Sequence, residues 1–153
     1  MDVKRAITVG RSPAEVYAFW RDFENLPLFM YHLLSVENSG GGRSHWVAKG
    51  PSGRNVEWDA EIVEDRPGEL ISWRTIGRDD DIEHTGSVSF ISAPGDRATE
   101  VRVMLSYDPP GGKFGVTVAR LFGEEPGQQI ADDLLRFKQV IEVGELTQRS
   151  SLP

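Results

Sequence analysis

The stretch FWRDFENLPLFMYHL, residues 19–33, places eight large apolar side chains among fifteen residues and interrupts them with Pro27. A single buried helix has no need of a proline, because proline removes a backbone donor and clashes with the preceding turn. A surface loop has no need of so many apolar side chains. The stretch therefore predicts two short helices that run in different directions and turn their apolar faces toward one core.

The first of these helices has a recognisable start. Ser12 is a preferred N-cap residue, Pro13 suits the first helical position, and Glu15 completes a capping box. A single apolar stripe at helical spacing follows and consists of Val16, Phe19, Trp20 and Phe23. These residues predict a helix that ends before the proline.

The second helix is predicted to begin at Asn25, which can cap it, with Pro27 in its first turn. Its apolar positions repeat at i, i+3, i+4 and i+7 and are Leu26, Phe29, Met30 and Leu33. The proline thus starts a new helix.

Strand periodicity lies on both sides of the helical pair. VKRAITV, residues 3–9, is a predicted strand, and from residue 34 onward turn clusters rich in Gly, Pro and Asp separate runs of strand length. The clearest run is 55–65, where apolar side chains alternate with carboxylates. The inward positions of these runs are Trp46, Val56, Trp58, Ala60, Ile62, Ile71, Trp73, Val88, Phe90, Val101, Val103, Leu105 and Tyr107. This pattern predicts an antiparallel sheet of six or seven strands with one buried face.

Helical spacing returns after the sheet. Residues 113–123 are predicted to be helical, with a break near Gly123–Gly127 that leaves open whether the last helix is one piece or two. A long helix follows, and its stripe consists of Ile130, Leu134, Phe137 and Ile141. We expect one domain over residues 1–146 and a disordered tail over 147–153.

The composition excludes several classes of function. With 17 Lys and Arg against 24 Asp and Glu, the net charge of −7 disfavours unaided binding to nucleic acid. The chain has no cysteine, which rules out disulfides and zinc thiolates. No apolar run reaches the ~20 residues of a membrane-spanning helix, and the first residues lack a secretory pattern. We therefore expect a soluble cytoplasmic protein.

The predicted elements imply an α+β architecture with a cavity. A curved antiparallel sheet with one apolar face must be covered, and the long C-terminal helix is the element long enough to do so. A strongly twisted sheet around one helix need not close tightly, so the space between them is a natural site for an apolar ligand.

Four segments carry a resemblance to a known superfamily: SPAEVYAFWRDFENLPLFM (12–30), WDAEIVEDRPGELISWRT (58–75), SYDPPGG (106–112) and ADDLLRFKQVIEVGE (131–145). Together they resemble the START-like (SRPBCC) superfamily, in its polyketide cyclase/dehydrase and coenzyme Q-binding-protein-like branch. The resemblance implies a helix-grip fold, in which the sheet wraps round the C-terminal helix. Its members include carriers of lipids and quinones, aromatase/cyclases, hydrolases and plant defence proteins, so the fold does not select a function.

Eight residues are candidates for ligand contact: Phe29, Met30, Trp58, Trp73, Thr75, His84, Phe90 and Tyr107. Trp58 and Trp73 either stack on a planar ligand or are core residues. Thr75 and Tyr107 either supply hydroxyl groups to the cavity or are ordinary strand residues. Phe29 and Met30, with Trp20, either form the mouth of the cavity or pack helix against sheet.

Catalytic chemistry has two candidates. His84 can hydrogen-bond a ligand carbonyl, or act as an acid or base if its pKa stays near neutral, and Tyr107 is its candidate partner. The three histidines, His32, His45 and His84, match no metal-ligand spacing, and the carboxylates of 57–61 are typical of a solvated face. The sequence therefore predicts no metal and no cofactor.

Three functions remain open. The first is a non-enzymatic protein that binds a small hydrophobic or aromatic molecule, such as a lipid, a quinone or a polyketide-like compound. The second is a polyketide cyclase or dehydratase that promotes aldol ring closure in the same cavity. The third is an interaction protein whose acidic surface docks a basic partner. A homodimer is left open.

Overall fold

The computed structural model describes residues 2–49, 55–76, 84–95, 97–107 and 126–151. In chain order the elements are β1 (Asp2–Val9), α1 (Pro13–Arg21), a 3₁₀ helix (Phe23–Leu28), β2 (Leu33–Gly40), β3 (Arg43–Lys49), β4 (Asn55–Arg66), β5 (Leu70–Ile76), β6 (His84–Ser92), β7 (Thr99–Tyr107) and α2 (Pro126–Ser151). The predicted helix over 113–123 and most of the predicted break at Gly123–Gly127 lie outside these ranges.

The strands form one antiparallel sheet in the order β1-β7-β6-β5-β4-β3-β2. Strands β2 to β7 are joined in sequence, and β1 completes the sheet by pairing with β7, so that Val3 lies opposite Leu105 and Val9 opposite Thr99. A bulge between Ile62 and Glu64 interrupts the register of β4 with β5 and adds to the curvature. The predicted α+β fold, a curved antiparallel sheet with a C-terminal helix, is confirmed.

The predicted start of α1 is confirmed in detail. The Ser12 hydroxyl accepts a hydrogen bond from the Glu15 backbone N–H at 3.3 Å and donates one to the Glu15 carboxylate at 3.2 Å. Pro13 occupies the first helical turn, and the buried side chains of the helix are Val16 and Trp20.

The second predicted helix is wrong in its type and its bounds. It is a 3₁₀ helix that begins at Phe23, two residues before the predicted cap, and Leu33 belongs to β2 instead. Asp22 has an extended backbone and caps the new helix, because its side chain accepts a hydrogen bond from the Glu24 N–H at 3.1 Å.

Asn25 has a different role from the predicted one. Its side-chain Nδ2 donates to the Phe19 carbonyl oxygen at 3.0 Å, which ties the 3₁₀ helix back to the end of α1. Pro27 lies inside the 3₁₀ helix. The predicted break between the two helices is present, although it occurs earlier than the proline, at the extended residue Asp22.

Helix α2 packs along the inner side of β1. Its four stripe residues, Ile130, Leu134, Phe137 and Ile141, are all buried, as predicted. Two polar contacts fix the helix to β1 and the following turn: Lys138 Nζ donates to the Thr8 carbonyl oxygen at 2.8 Å, and Glu142 accepts from the Gly10 N–H at 2.7 Å. The helical backbone reaches Ser151, and the disordered tail over 147–153 stays a prediction. The domain boundary at 146 stays a prediction.

An aromatic cluster closes the core between the helices. The Phe29 ring lies 5.2 Å from Trp20 and 5.1 Å from Phe137, measured between centroids, and all three side chains are buried. This cluster joins α1, the segment after the 3₁₀ helix and α2 into one layer over the sheet.

Candidate functional site

A cavity of about 50 Å³ lies between the inner face of the sheet and α2. Its wall is mostly apolar, and its largest members are four tryptophans: Trp20, Trp46, Trp58 and Trp73. Leu134 and Ile130 supply the side of the cavity formed by α2. This volume has room for a few water molecules.

The sheet side of the cavity is a row of indole rings. Trp46 stacks on Trp58 with 5.6 Å between ring centroids and on Trp73 with 6.5 Å. Phe23, from the 3₁₀ helix, meets both Trp46 and Trp73 edge-on at 5.5 Å. The row offers a flat aromatic surface, which suits a planar ring.

The indole N–H groups of these residues differ in their hydrogen bonding. Trp46 Nε1 donates to the Ser44 hydroxyl at 2.8 Å. The buried Nε1 atoms of Trp20, Trp58 and Trp73 have no acceptor within the described ranges. Buried donors without acceptors are costly, so these three atoms are the unusual polar feature of the cavity.

His84 also lines the cavity, at the start of β6. Its side chain is buried, its ring meets Trp58 edge-on at 5.9 Å, and its Nδ1 has no hydrogen-bond partner among the residues described. Burial lowers the pKa of His84 to about 4. The imidazole is therefore neutral at pH 7, and its role as an acid or base stays a prediction.

Asp133 is the one carboxylate in the cavity wall, among the described residues. Its side chain is nearly inaccessible, and its Oδ1 accepts from Arg136 Nη2 at 2.5 Å and from Gln129 Nε2 at 3.0 Å. Burial raises the pKa of Asp133 to about 6, although the hydrogen bonds from Arg136 and Gln129 oppose this shift. A carboxyl group with such a pKa can exchange a proton near neutral pH.

His32 lies beside Asp133, with 3.9 Å between His32 Nδ1 and Asp133 Oδ2. Burial and the charge of Arg136 lower the pKa of His32 to about 4, so this ring is also neutral at pH 7. His32 and Asp133 together form a polar end of the cavity that the sequence analysis did not predict.

Four of the eight predicted ligand contacts lie in the cavity wall. Met30, Trp58, Trp73 and His84 line the cavity. The described lining does not include Phe29, Thr75 or Phe90. The Tyr107 backbone lies opposite His84 in the β6–β7 register, and its side chain lies outside the described part of the structure.

The residues outside the cavity wall have structural contacts instead. Phe29 is buried in the aromatic cluster with Trp20 and Phe137. The Thr75 hydroxyl accepts a hydrogen bond from the His84 backbone N–H at 3.2 Å, so Thr75 positions His84. Phe90 packs edge-on against Tyr17 at 5.8 Å.

Among the described residues there is neither a metal site nor a membrane-spanning helix. Across the described ranges, no group of three His, Asp or Glu side chains is arranged to hold a metal ion. No described helix combines the length and apolarity needed to cross a bilayer. His45, the remaining histidine, lies on the outer face between Glu57 at 2.9 Å and Asp59 at 2.7 Å.

The chain matches one family model over residues 9–135, described as polyketide cyclase/dehydrase and lipid transport. A curated Streptomyces lincolnensis protein, an uncharacterised 17.2 kDa protein in the melC2-rnhH intergenic region, is 32% identical over 92% of this chain and 89% of its own.

Two solved structures show the same architecture. A Deinococcus radiodurans protein is 41% identical, with a TM-score of 0.73, over 94% of this chain and 99% of its own. The di-domain ARO/CYC BexL from the BE-7585A biosynthetic pathway is 19% identical, with a TM-score of 0.67, over 92% of this chain and 47% of its own. At that identity the second likeness shows the fold alone.

Proposed function

The chain belongs to the polyketide cyclase/dehydrase and lipid transport family, and we propose that it binds a small hydrophobic or aromatic molecule between its sheet and α2. Membership of this family places the chain in the helix-grip superfamily that its sequence resembles. Candidate ligands are a lipid, a quinone or a polyketide-like compound. We also propose that the protein is located in the cytoplasm. The possible homodimer of this chain stays a prediction.

One observation carries this proposal: the cavity exists and is walled by aromatic rings that do not fill it. A fully packed interior would favour an interaction protein with no ligand. At about 50 Å³ the cavity must enlarge to take a drug-sized molecule, for which sites of roughly 300–1,000 Å³ are typical. Met30 is a half-buried member of the wall, and its flexible side chain can move at small cost.

Native mass spectrometry of the purified protein is the first test. We expect a mass increment that disappears on unfolding, and a change in tryptophan fluorescence when hydrophobic ligands are added. The absence of both, across a panel of lipids, quinones and aromatic ketones, would contradict ligand binding.

A matched pair of variants locates the site. Leu134→Phe adds volume to the cavity wall, whereas Leu135→Phe makes the same change on the exposed side of α2, where Leu135 is 56% exposed. We expect L134F to weaken ligand binding at least tenfold and L135F to leave it unchanged. Circular dichroism of both variants shows whether the fold is kept. Equal binding by the two variants would place the ligand elsewhere.

A cyclase or dehydratase is the second candidate function, and Asp133 is the observation that favours it. As a carboxylate it can accept the α-proton of a poly-β-carbonyl chain while a carbon–carbon bond forms to a second carbonyl. As a carboxylic acid it then returns that proton to the alkoxide formed on the second carbonyl, which becomes a hydroxyl group. For loss of water it takes a second α-proton and passes it to that hydroxyl group, which leaves as water while the carbon–carbon double bond forms. Its pKa of about 6 makes both forms accessible near neutral pH.

Asp133→Asn tests this role, and Asp132→Asn is its control, because Asp132 contacts Gln128 on the exposed side of α2. If the protein is a cyclase, D133N should lose turnover about 100-fold or more while it still binds substrate, and D132N should retain turnover. Equal turnover in both variants would exclude Asp133 as the acid or base.

A further inference from the structure

We infer that the indole N–H groups of Trp58 and Trp73 donate hydrogen bonds to an oxygen acceptor of the bound molecule. The cavity then selects an aromatic compound that bears a carbonyl group over a hydrocarbon of the same shape. This inference rests on the proposed ligand-binding function, and it names the chemical group that the site recognises.

The first support is the cost of leaving these donors buried. The side chains of Trp58 and Trp73 are only 8% and 6% exposed, and neither Nε1 has an acceptor within the described residues. A buried donor without an acceptor costs about as much as a hydrogen bond contributes. A cavity that keeps three of them, two of which belong to the row of indole rings, is prepared for an acceptor that arrives from outside the chain.

The second support is the contrast with Trp46. The Trp46 ring stacks on both of the other rings and lines the same cavity, yet its N–H donates to the Ser44 hydroxyl at 2.8 Å. The fold thus supplies an acceptor for one indole of the row and leaves the other two without one. Trp46 therefore serves as an internal control: it is buried like Trp58 and Trp73 and lines the same cavity, but its N–H is not available to a ligand.

The third support is the position of His84. Its neutral ring lies 5.9 Å from Trp58, and its Nδ1 is buried without a described partner. A further buried polar atom is therefore carried by the ring that contacts Trp58. The other members of the wall are aromatic or aliphatic apart from His32 and Asp133, and the aliphatic ones include Val103, Leu105 and Leu134. An aromatic ring that carries one or two oxygen atoms matches this distribution better than an alkyl chain does.

The test uses two probes of nearly the same shape, acetophenone and α-methylstyrene, in which a C=O group replaces a C=CH₂ group. Their dissociation constants are measured by calorimetry or tryptophan fluorescence for the wild type and for the variants Trp58→Phe, Trp73→Phe and Trp46→Phe. Each variant keeps an aromatic ring and removes the N–H. Urea denaturation establishes that each variant is folded at the assay temperature.

The readout is the ratio of the two affinities within each protein, because this ratio cancels the effect of a smaller ring on packing. We expect the preference for acetophenone to fall roughly three- to tenfold in W58F or W73F, as the loss of one hydrogen bond implies. The ratio in W46F should equal that of the wild type, whatever W46F does to the two affinities.

An unchanged ratio in both W58F and W73F, with binding of the two probes retained, would overturn the inference and leave the proposed function intact. If the wild type binds neither probe, the ligand-binding proposal for small aromatic molecules fails together with the inference.

Discussion

Trp73 lies directly over Gly86, its register partner on the neighbouring strand. A Cβ atom placed on Gly86 would come within 2.3 Å of Trp73 Cζ2 and 2.9 Å of its Nε1. The glycine is therefore needed for the space it leaves, because the indole edge occupies the volume of a side chain on β6. This close approach holds Trp73 in the tryptophan row.

Gly86→Ala should displace the Trp73 ring and destabilise the protein by about 1–3 kcal/mol, the usual cost of overpacking a core. Urea denaturation measures the change, and near-UV circular dichroism reports the altered indole environment. Gly10→Ala is the control, because a Cβ there would meet Glu142 at an ordinary distance of 3.5 Å. A G86A protein as stable as G10A would contradict the close contact.

Ser12→Ala should destabilise the protein by about 1 kcal/mol, because it removes the hydroxyl that accepts from the Glu15 N–H at the start of α1. Ser12→Asp keeps an acceptor at the N-cap and should recover most of the loss. Thermal denaturation should rank the wild type as most stable, S12D next and S12A last. An S12A protein as stable as the wild type would show that the Ser12 cap does not stabilise α1.

The pH dependence of stability follows from three buried groups. The pKa values of His32 and His84 are lowered from 6.5 to about 4, so between these values the unfolded chain binds more protons than the folded one. Each histidine therefore makes the protein less stable as the pH falls from 6.5 to 4, by up to about 3 kcal/mol. The pKa of Asp133 is raised to about 6, so over nearly the same pH range the folded chain binds more protons at this group than the unfolded chain does. Asp133 therefore makes the protein more stable as the pH falls.

We accordingly expect a net loss of stability on acidification from pH 6.5 to 4.5. His84→Gln should make this loss smaller, and D133N should make it larger because the opposing group is gone. Urea midpoints at several pH values measure the slopes. Slopes that do not differ among the wild type, H84Q and D133N would show that the two groups titrate alike in the folded and unfolded states.

Much of the fold could be predicted because burial imposes a period on the sequence. In β4 the alternation of Trp58 and Ala60 with carboxylates identifies the inner face, and in α2 the stripe from Ile130 to Ile141 does the same. The 3₁₀ helix was misread because Leu26, Phe29 and Leu33 follow α-helical spacing by chance, while the capping residue Asp22 lies before them.

The cavity was predicted less completely because periodicity gives the face of a residue and not its neighbours. Phe29 and Trp58 both face inward, but only the coordinates show that Phe29 meets Phe137 and that Trp58 borders empty space. Asp133 was missed because an acidic residue early in a helix is ordinarily explained by the helix dipole. Its burial depends on the packing of α2 against residues more than 100 positions away, including the Phe29 carbonyl that fixes Arg136.

Arg136 holds the polar end of the cavity together. Its Nε donates to the Phe29 carbonyl oxygen at 2.9 Å, its Nη2 donates to Asp133 at 2.5 Å, and its guanidinium lies 4.3 Å from the centre of the Tyr31 ring. Arg136→Met removes the charge and leaves the Asp133 carboxylate buried without its cation. Removal of one partner from a buried ion pair typically lowers the free energy of unfolding by about 3–5 kcal/mol. Because Arg136 is partly exposed, we expect R136M to lose stability near the lower end of this range at pH 7.5.

The loss should shrink at pH 5, where Asp133 takes up a proton and no longer needs the guanidinium. The double variant R136M/D133N should likewise recover part of the stability, because its buried amide carries no charge. Urea denaturation of the single and double variants at both pH values completes a double-mutant cycle. A deficit in R136M that is the same at both pH values, and that D133N does not reduce, would mean that Arg136 acts through its contacts with Phe29 and Tyr31 instead.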